Sequence, residues 1–229
     1  MTALDTDGAI PVRARVVPGV MADELNTLLH AAGEQPPFVL VAPSFGSYNA
    51  VMFAHQFPGE VAGLVLIDGL HTFSDFPFSL NEKLSLRTMQ FLLPFGLPRW
   101  RKWCGGAGPE STRRERQAIT CRPGLYSAFY SERAALPRSV AEIRHVTDLG
   151  SLPVIVIAHD PAIVGHSADR DWNLVQQQKL QLSRNSELVV AAGSGHNIPQ
   201  LRPDVIVSAV KKLSSQASGT GGQPGNSVK

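Results

Sequence analysis

The stretch Phe38-Val39-Leu40-Val41-Ala42-Pro43-Ser44-Phe45-Gly46-Ser47 constrains this chain more than any other. Five largely apolar residues run into a small-residue turn, and helix-forming sequence follows at once. A continuous apolar run of this length predicts a parallel strand buried on both faces. A serine between such a strand and a helix fits a nucleophile elbow, a strained turn that lifts the hydroxyl above the sheet. The usual spacing is Gly-x-Ser-x-Gly; here it reads Ala42-Pro43-Ser44-Phe45-Gly46. Ala42 and Gly46 stand where only small residues are expected to fit, because the helix crosses close behind the strand. A buried strand ending in a serine-rich turn would read the same way, so the chemistry depends on partners elsewhere in the chain.

Those partners come from an alternating pattern. Residues 10–16 alternate apolar and polar, predicting a short edge strand that Pro11 keeps away from a central position. Helical spacing follows over residues 21–32, with Gly33 as a stop. After the elbow, residues 48–56 predict a helix and residues 61–67 a second buried strand, closing in Asp68-Gly69. Residues 70–147 mix aromatics, prolines and arginines, with helical patches at 80–93, 111–120 and 139–145, and predict a helical cap insertion. A third strand at 152–158, a helix at 171–182, a fourth strand at 187–192 and a helix at 203–213 complete the pattern. The Ser/Gly-rich stretch from 214 to 229 predicts a disordered tail. The order is that of an α/β protein with a doubly wound parallel sheet, one domain over 1–213. Ligands of such sheets bind beyond the carboxyl ends of the strands. Ser44, Asp68, Asp160 and the turn 193–196 all fall there.

A serine hydroxyl needs a base within hydrogen-bond reach, and the base needs an orienting acid. Ser44, Asp160 and His196 supply these in the order Ser…Asp…His found in hydrolases built on such a sheet. His196 lies in Gly193-Ser194-Gly195-His196-Asn197, where glycines free the loop to bring an imidazole across the sheet edge. Asp160 follows the third strand after one residue; Asp169, Asp171 and Asp68 are alternative acids. His159 adjoins the acid position but lies on the wrong strand to be the base. The Phe45 N–H is the first oxyanion donor. No His or Cys pair has metal-ligand spacing and no glycine loop suits a phosphate, so no cofactor is expected. A net charge of +2 gives no case for nucleic acid, and no apolar run approaches the ~20 residues of a membrane span. The basic clusters Arg99, Arg101, Lys102 and Arg113, Arg114, Arg116 read as solvated helix faces. Cys104 and Cys121 make no disulfide framework, which favours a reducing, cytoplasmic setting.

From about Asp23 to Leu213 the chain resembles the α/β-hydrolase superfamily. The resemblance rests on residues 38–46, on Phe57-Pro58-Gly59-Glu60 running through to Asp68, on Trp172 with Gln176, and on Ser194-Gly195-His196-Asn197. It implies hydrolysis of small esters or amides through an acyl-enzyme, under a helical cap. Phe73, Phe76, Phe78, Phe91, Phe95 and Trp100 would then line an apolar acyl pocket or fill the cap's own core. The chain departs from the pattern in three places. Pro43 stands where histidine is usual, and Ser47 where glycine is. Only 43 residues precede Ser44, without the strands and the His-Gly loop that give the second oxyanion amide, so the N-terminal strands are missing from the expected sheet. An exposed sheet edge prone to self-association is expected, and a non-catalytic binding or structural remnant is the alternative function.

Overall fold

The computed structural model describes residues 16–69, 78–105, 110–163 and 167–220. The strand expected at 10–16 lies outside them except for Val16, as do Phe73 and Phe76. Two compact units emerge. One contains residues 18–69, 140–163 and 167–220; the other contains 16–17, 78–105 and 110–139.

The larger unit is built on four parallel strands in the order β1-β2-β3-β4: β1 Phe38–Pro43, β2 Val61–Ile67, β3 Val154–His159 and β4 Ser186–Ala191. The central pair, β2 and β3, is buried almost throughout, as runs of Val, Ile and Leu require. Alternate residues face opposite sides. Val65, Ile67, Ile155 and Ile157 form a core with Ala209 and Leu213 of the C-terminal helix, while Leu64, Leu66, Val154 and Val156 are buried on the other side. Strand β1 departs from the expectation of burial on both faces. Among the described residues it is an edge strand, at least partly exposed except at buried Ala42, and Val41 faces solvent. Burial of β1 depends on neighbours on both sides, and among the described residues it has one.

Helix α1 (Pro18–Ala31) precedes β1 and packs on α2 (Gly46–Gln56), which begins two residues after Ser44. Pro137 lies inside the long helix α6 (Pro123–Ile143), which takes in residues 139–143 of the patch expected at 139–145 and starts well before it. Helix α7 (Ser167–Gln178) packs on β3. The short α8 (Ile198–Leu201) and the long α9 (Pro203–Thr220) end the described chain. Helix α9 continues through residues 214–220, where disorder was expected to begin. The residues beyond 220 lie outside the description.

The smaller unit holds α3 (Leu80–Leu92), α4 (Leu97–Trp100), α5 (Arg113–Thr120) and the first part of α6. Ser79 caps α3 by accepting from the Glu82 N–H. Arg133 of α6 donates through both Nε and Nη2 to the Glu82 carboxylate, a bidentate clasp. Cys104 and Cys121 form a disulfide across 17 positions and pack with Leu93. This corrects the reading of both cysteines as reduced: their side chains are buried together against one apolar cluster, which the residue spacing alone does not reveal.

Candidate active site

The site grows from the carboxyl ends of the strands. Beyond the last β1–β2 pair, Pro43 with Ile67, the Ser44 N–H continues the ladder to the Ile67 carbonyl at 2.9 Å. The Asp68 N–H does the same one strand on, reaching the Ile157 carbonyl at 2.7 Å. Both residues are then forced to turn sharply. Ser44 has φ of 48° and Asp68 has φ of 47°, the left-handed region that side chains rarely occupy. Two strained non-glycine residues on neighbouring strands are a feature of functional corners rather than of plain strand exits.

The structure brings His196 to Asp68, not to Asp160. His196 Nδ1–H donates to Asp68 Oδ2 at 2.6 Å. Asp68 is 1% exposed. Burial alone would raise its pKa, but hydrogen bonds from His196 and His159 outweigh that and hold it below the usual carboxylate value. The same bond raises the His196 pKa against its partial burial. The Asp68 carboxylate is gripped from three directions. His159 Nδ1 lies 3.0 Å from Oδ1, and the Trp172 Nε1–H donates to Oδ1 at 3.0 Å. The far nitrogen of His159 receives the Asn173 amide at 3.3 Å, a network in which His159 carries its proton on Nδ1. Trp172 also meets the His196 ring edge-to-face at 5.8 Å.

His196 is bonded to Asp68, whereas Asp160, expected as the acid, is bonded to backbone in the structure. Its Oδ2 accepts the Gly193 N–H at 2.9 Å and its Oδ1 accepts the Ala162 N–H at 2.9 Å. Its own N–H reaches the Ser194 carbonyl at 2.8 Å. These backbone bonds lower its pKa and fasten the loop that carries His196. The physical reason is strand alternation. His159 ends β3 with its ring on Asp68, so the next residue points elsewhere. Asp169 and Asp171 fall within α7, and their side chains lie outside what the structure describes.

The corner after Asp68 is clamped as well. The Gly69 carbonyl accepts from Gln176 Nε2 at 2.9 Å and from Lys179 Nζ at 2.8 Å. Burial pulls the Lys179 amine down to about 7, against the opposing charge of Asp68. A Cβ on Gly69 would lie 2.7 Å from that of buried Ser47, so no larger residue fits without a shift. At Gly46, by contrast, an added Cβ would meet only ordinary contacts at 3.7 Å or more. The demand for a small residue falls on Gly69, and the elbow glycine has room for alanine. The Phe45 N–H finds no acceptor among the described residues.

Of the sequence-predicted residues, Ser44 follows β1 and His196 follows β4, both beyond the carboxyl ends of the strands, and His196 is bonded to Asp68 at the end of β2. His159 and Trp172 were missed as partners of that carboxylate. The available signal was that β2 ends directly in an aspartate after seven apolar residues.

Comparisons agree with this architecture. Residues 6–209 match the profile of the alpha/beta hydrolase family. Protein YqjL of Bacillus subtilis (strain 168) is 23% identical over 200 residues, spanning 86% of this chain and 65% of that protein. An AB hydrolase superfamily protein of Gibberella zeae is also 23% identical, over 84% of this chain and 70% of its own length. The chain therefore spans about two thirds of the relatives it matches. Among solved structures, a thermophilic esterase from Thermogutta terrifontis superposes with a TM-score of 0.53 at 23% identity, over 87% of this chain and 72% of that one. Cfl2 from Burkholderia cenocepacia gives 0.58 at 19%, over 86% and 72%. The epoxide hydrolase CorEH gives 0.56 at 14%, over 91% and 78%. With its parallel sheet, its strained serine corner and this match across most of its length, the chain belongs to the alpha/beta hydrolase family.

Proposed function

We propose that the protein is a serine hydrolase of small esters or amides, with Ser44 as nucleophile, His196 as general base and Asp68 as the orienting acid. The observation that carries this reading is the 2.6 Å bond from His196 Nδ1–H to the buried Asp68, one strand from the strained Ser44. With its Nδ1 proton committed to Asp68, His196 keeps Nε2 free to accept the serine proton. Ser44 Oγ attacks the acyl carbon, its proton passes to His196 Nε2, and the Phe45 N–H faces the developing oxyanion. Collapse releases the alcohol or amine, which takes that proton. Water then attacks the acyl-enzyme, with His196 receiving and returning a proton in turn.

A non-catalytic reading is favoured by one specific observation: among the described residues Phe45 is the one oxyanion donor identified, and loss of one such donor typically costs ~10²–10³ in rate. A fluorophosphonate probe separates the two. Ser44 should be labelled in the wild type and unlabelled in Ser44→Ala, which should also lose turnover of p-nitrophenyl butyrate. Labelling that survives in Ser44→Ala rejects Ser44 as nucleophile; a wild type that neither labels nor turns over supports the remnant.

A further inference from the structure

We infer that the helical segment 91–103 is a docking face for an anionic lipid surface. From Lys83 to Gly105 the chain carries Lys83, Arg87, Arg99, Arg101 and Lys102 and not one aspartate or glutamate. Four aromatic residues of this stretch are turned outward. Phe91, Phe95, Trp100 and Trp103 are 68%, 72%, 73% and 57% exposed, although aromatic rings of this size are normally well covered. Phe91 and Phe95 stack with ring centroids 5.5 Å apart, and the Arg101 guanidinium lies over Trp100 at 4.9 Å. The turn that holds them is tight: Trp100, Arg101 and Trp103 each donate backbone N–H bonds back to Gly96, Leu97 and Pro98. The apolar face is no accident of one residue. Leu80, Leu84 and Phe91 share a helical stripe of α3, while Met89 and Leu93 on another face pack against the Cys104–Cys121 cluster.

Exposed tryptophans and phenylalanines interleaved with Arg and Lys suit one partner best. Aromatic rings settle at the level of lipid headgroups, and cations beside them gain from an anionic surface. Self-pairing of this face would place the same unneutralised cations opposite one another, which repels. A nucleic acid would use the cations and the rings but leave the leucine stripe without a partner.

The test uses the full chain with sucrose-loaded vesicles, either of phosphatidylcholine alone or with added phosphatidylglycerol. The expected results are co-sedimentation with the anionic vesicles, weakening as salt is raised, and a blue shift of tryptophan emission on binding. Arg99→Gln, Arg101→Gln and Lys102→Gln should each weaken binding by roughly fivefold. Phe95→Ser with Trp100→Ser should abolish the shift while hydrolysis of a water-soluble ester is retained. The inference is overturned by an absence of binding to anionic vesicles at low salt. It is equally overturned by binding that ignores both lipid charge and the Gln variants. Self-association lost in Phe95→Ser, or tighter binding to single-stranded DNA than to the vesicles, also overturns it.

Discussion

At the scale of single residues, the decisive feature is one carboxylate shared by two imidazoles and an indole. Asp68 stays ionised in a buried place because three N–H donors replace its water. Asp160 holds only backbone. Asp68→Asn should therefore cut kcat on p-nitrophenyl butyrate by about 10⁴-fold, since an amide no longer fixes the histidine tautomer. Asp160→Asn, which loosens the loop and leaves the pair intact, should cost about tenfold or less. Steady-state kinetics of the two variants decides the matter, and the reverse ranking would restore Asp160 as the acid. The pH profile follows from the same bond. Because the base must be neutral and its pKa is raised, activity should fall on the acid side with a midpoint above the ordinary histidine value of 6.5. In Asp68→Asn the residual activity should keep its acid limb at lower pH. Ser44 and His196 were legible because a strand, a small-residue turn and a glycine-flanked histidine each leave local marks. Asp68 was not singled out because the geometry that selects it, the ring of His159 turned onto its carboxylate, depends on how β2 and β3 align.

At the scale of elements, the strands were legible to within two residues, but their burial was legible only where it is symmetrical. Strands β2 and β3 have neighbours on both sides, so their unbroken apolar runs mean what they usually mean. Strand β1 has the same composition but sits at an edge among the described residues, because composition records which faces a strand can bury and not which neighbours it meets. In the smaller unit, the helical patches were visible, but the aromatic positions were misread. Phe91, Phe95 and Trp100 were expected in a pocket or a core and instead stand exposed, while Leu93 and the cysteines make the small core. That core leans on a covalent link. Reducing Cys104–Cys121 frees a loop of 17 positions, which costs about 3 kcal/mol of stability on loop-entropy grounds. Dithiothreitol, or Cys104→Ser with Cys121→Ser, should lower the melting temperature, and circular dichroism should assign the loss to helix. An unchanged melting curve would mean that the helices hold themselves.

At the scale of the whole molecule, the sheet is joined across a long interval. Leu64 of β2 pairs with Val154 of β3, ninety positions further along, and the whole helical insertion lies between them. Non-local parallel pairing of this kind delays folding, because the loop must close before the ladder rewards it. Refolding from denaturant should accordingly lag behind the burst of helical signal, with β-sheet protection against hydrogen exchange arriving last in β2 and β3. Simultaneous protection of all elements would contradict this.

The same interval has a meaning during synthesis. A ribosome adds about 5–20 residues per second, so β2 leaves the exit tunnel some 5–20 s before its partner strand can reach it. Through that time a seven-residue run, Val61–Ile67, stands with one edge bare and its faces covered only by what α2 already packs on it. Nascent chains of this protein are in effect customers for whatever binds short apolar segments, and their yield in a cell should follow the supply of such holdases more closely than it follows the stability of the finished fold.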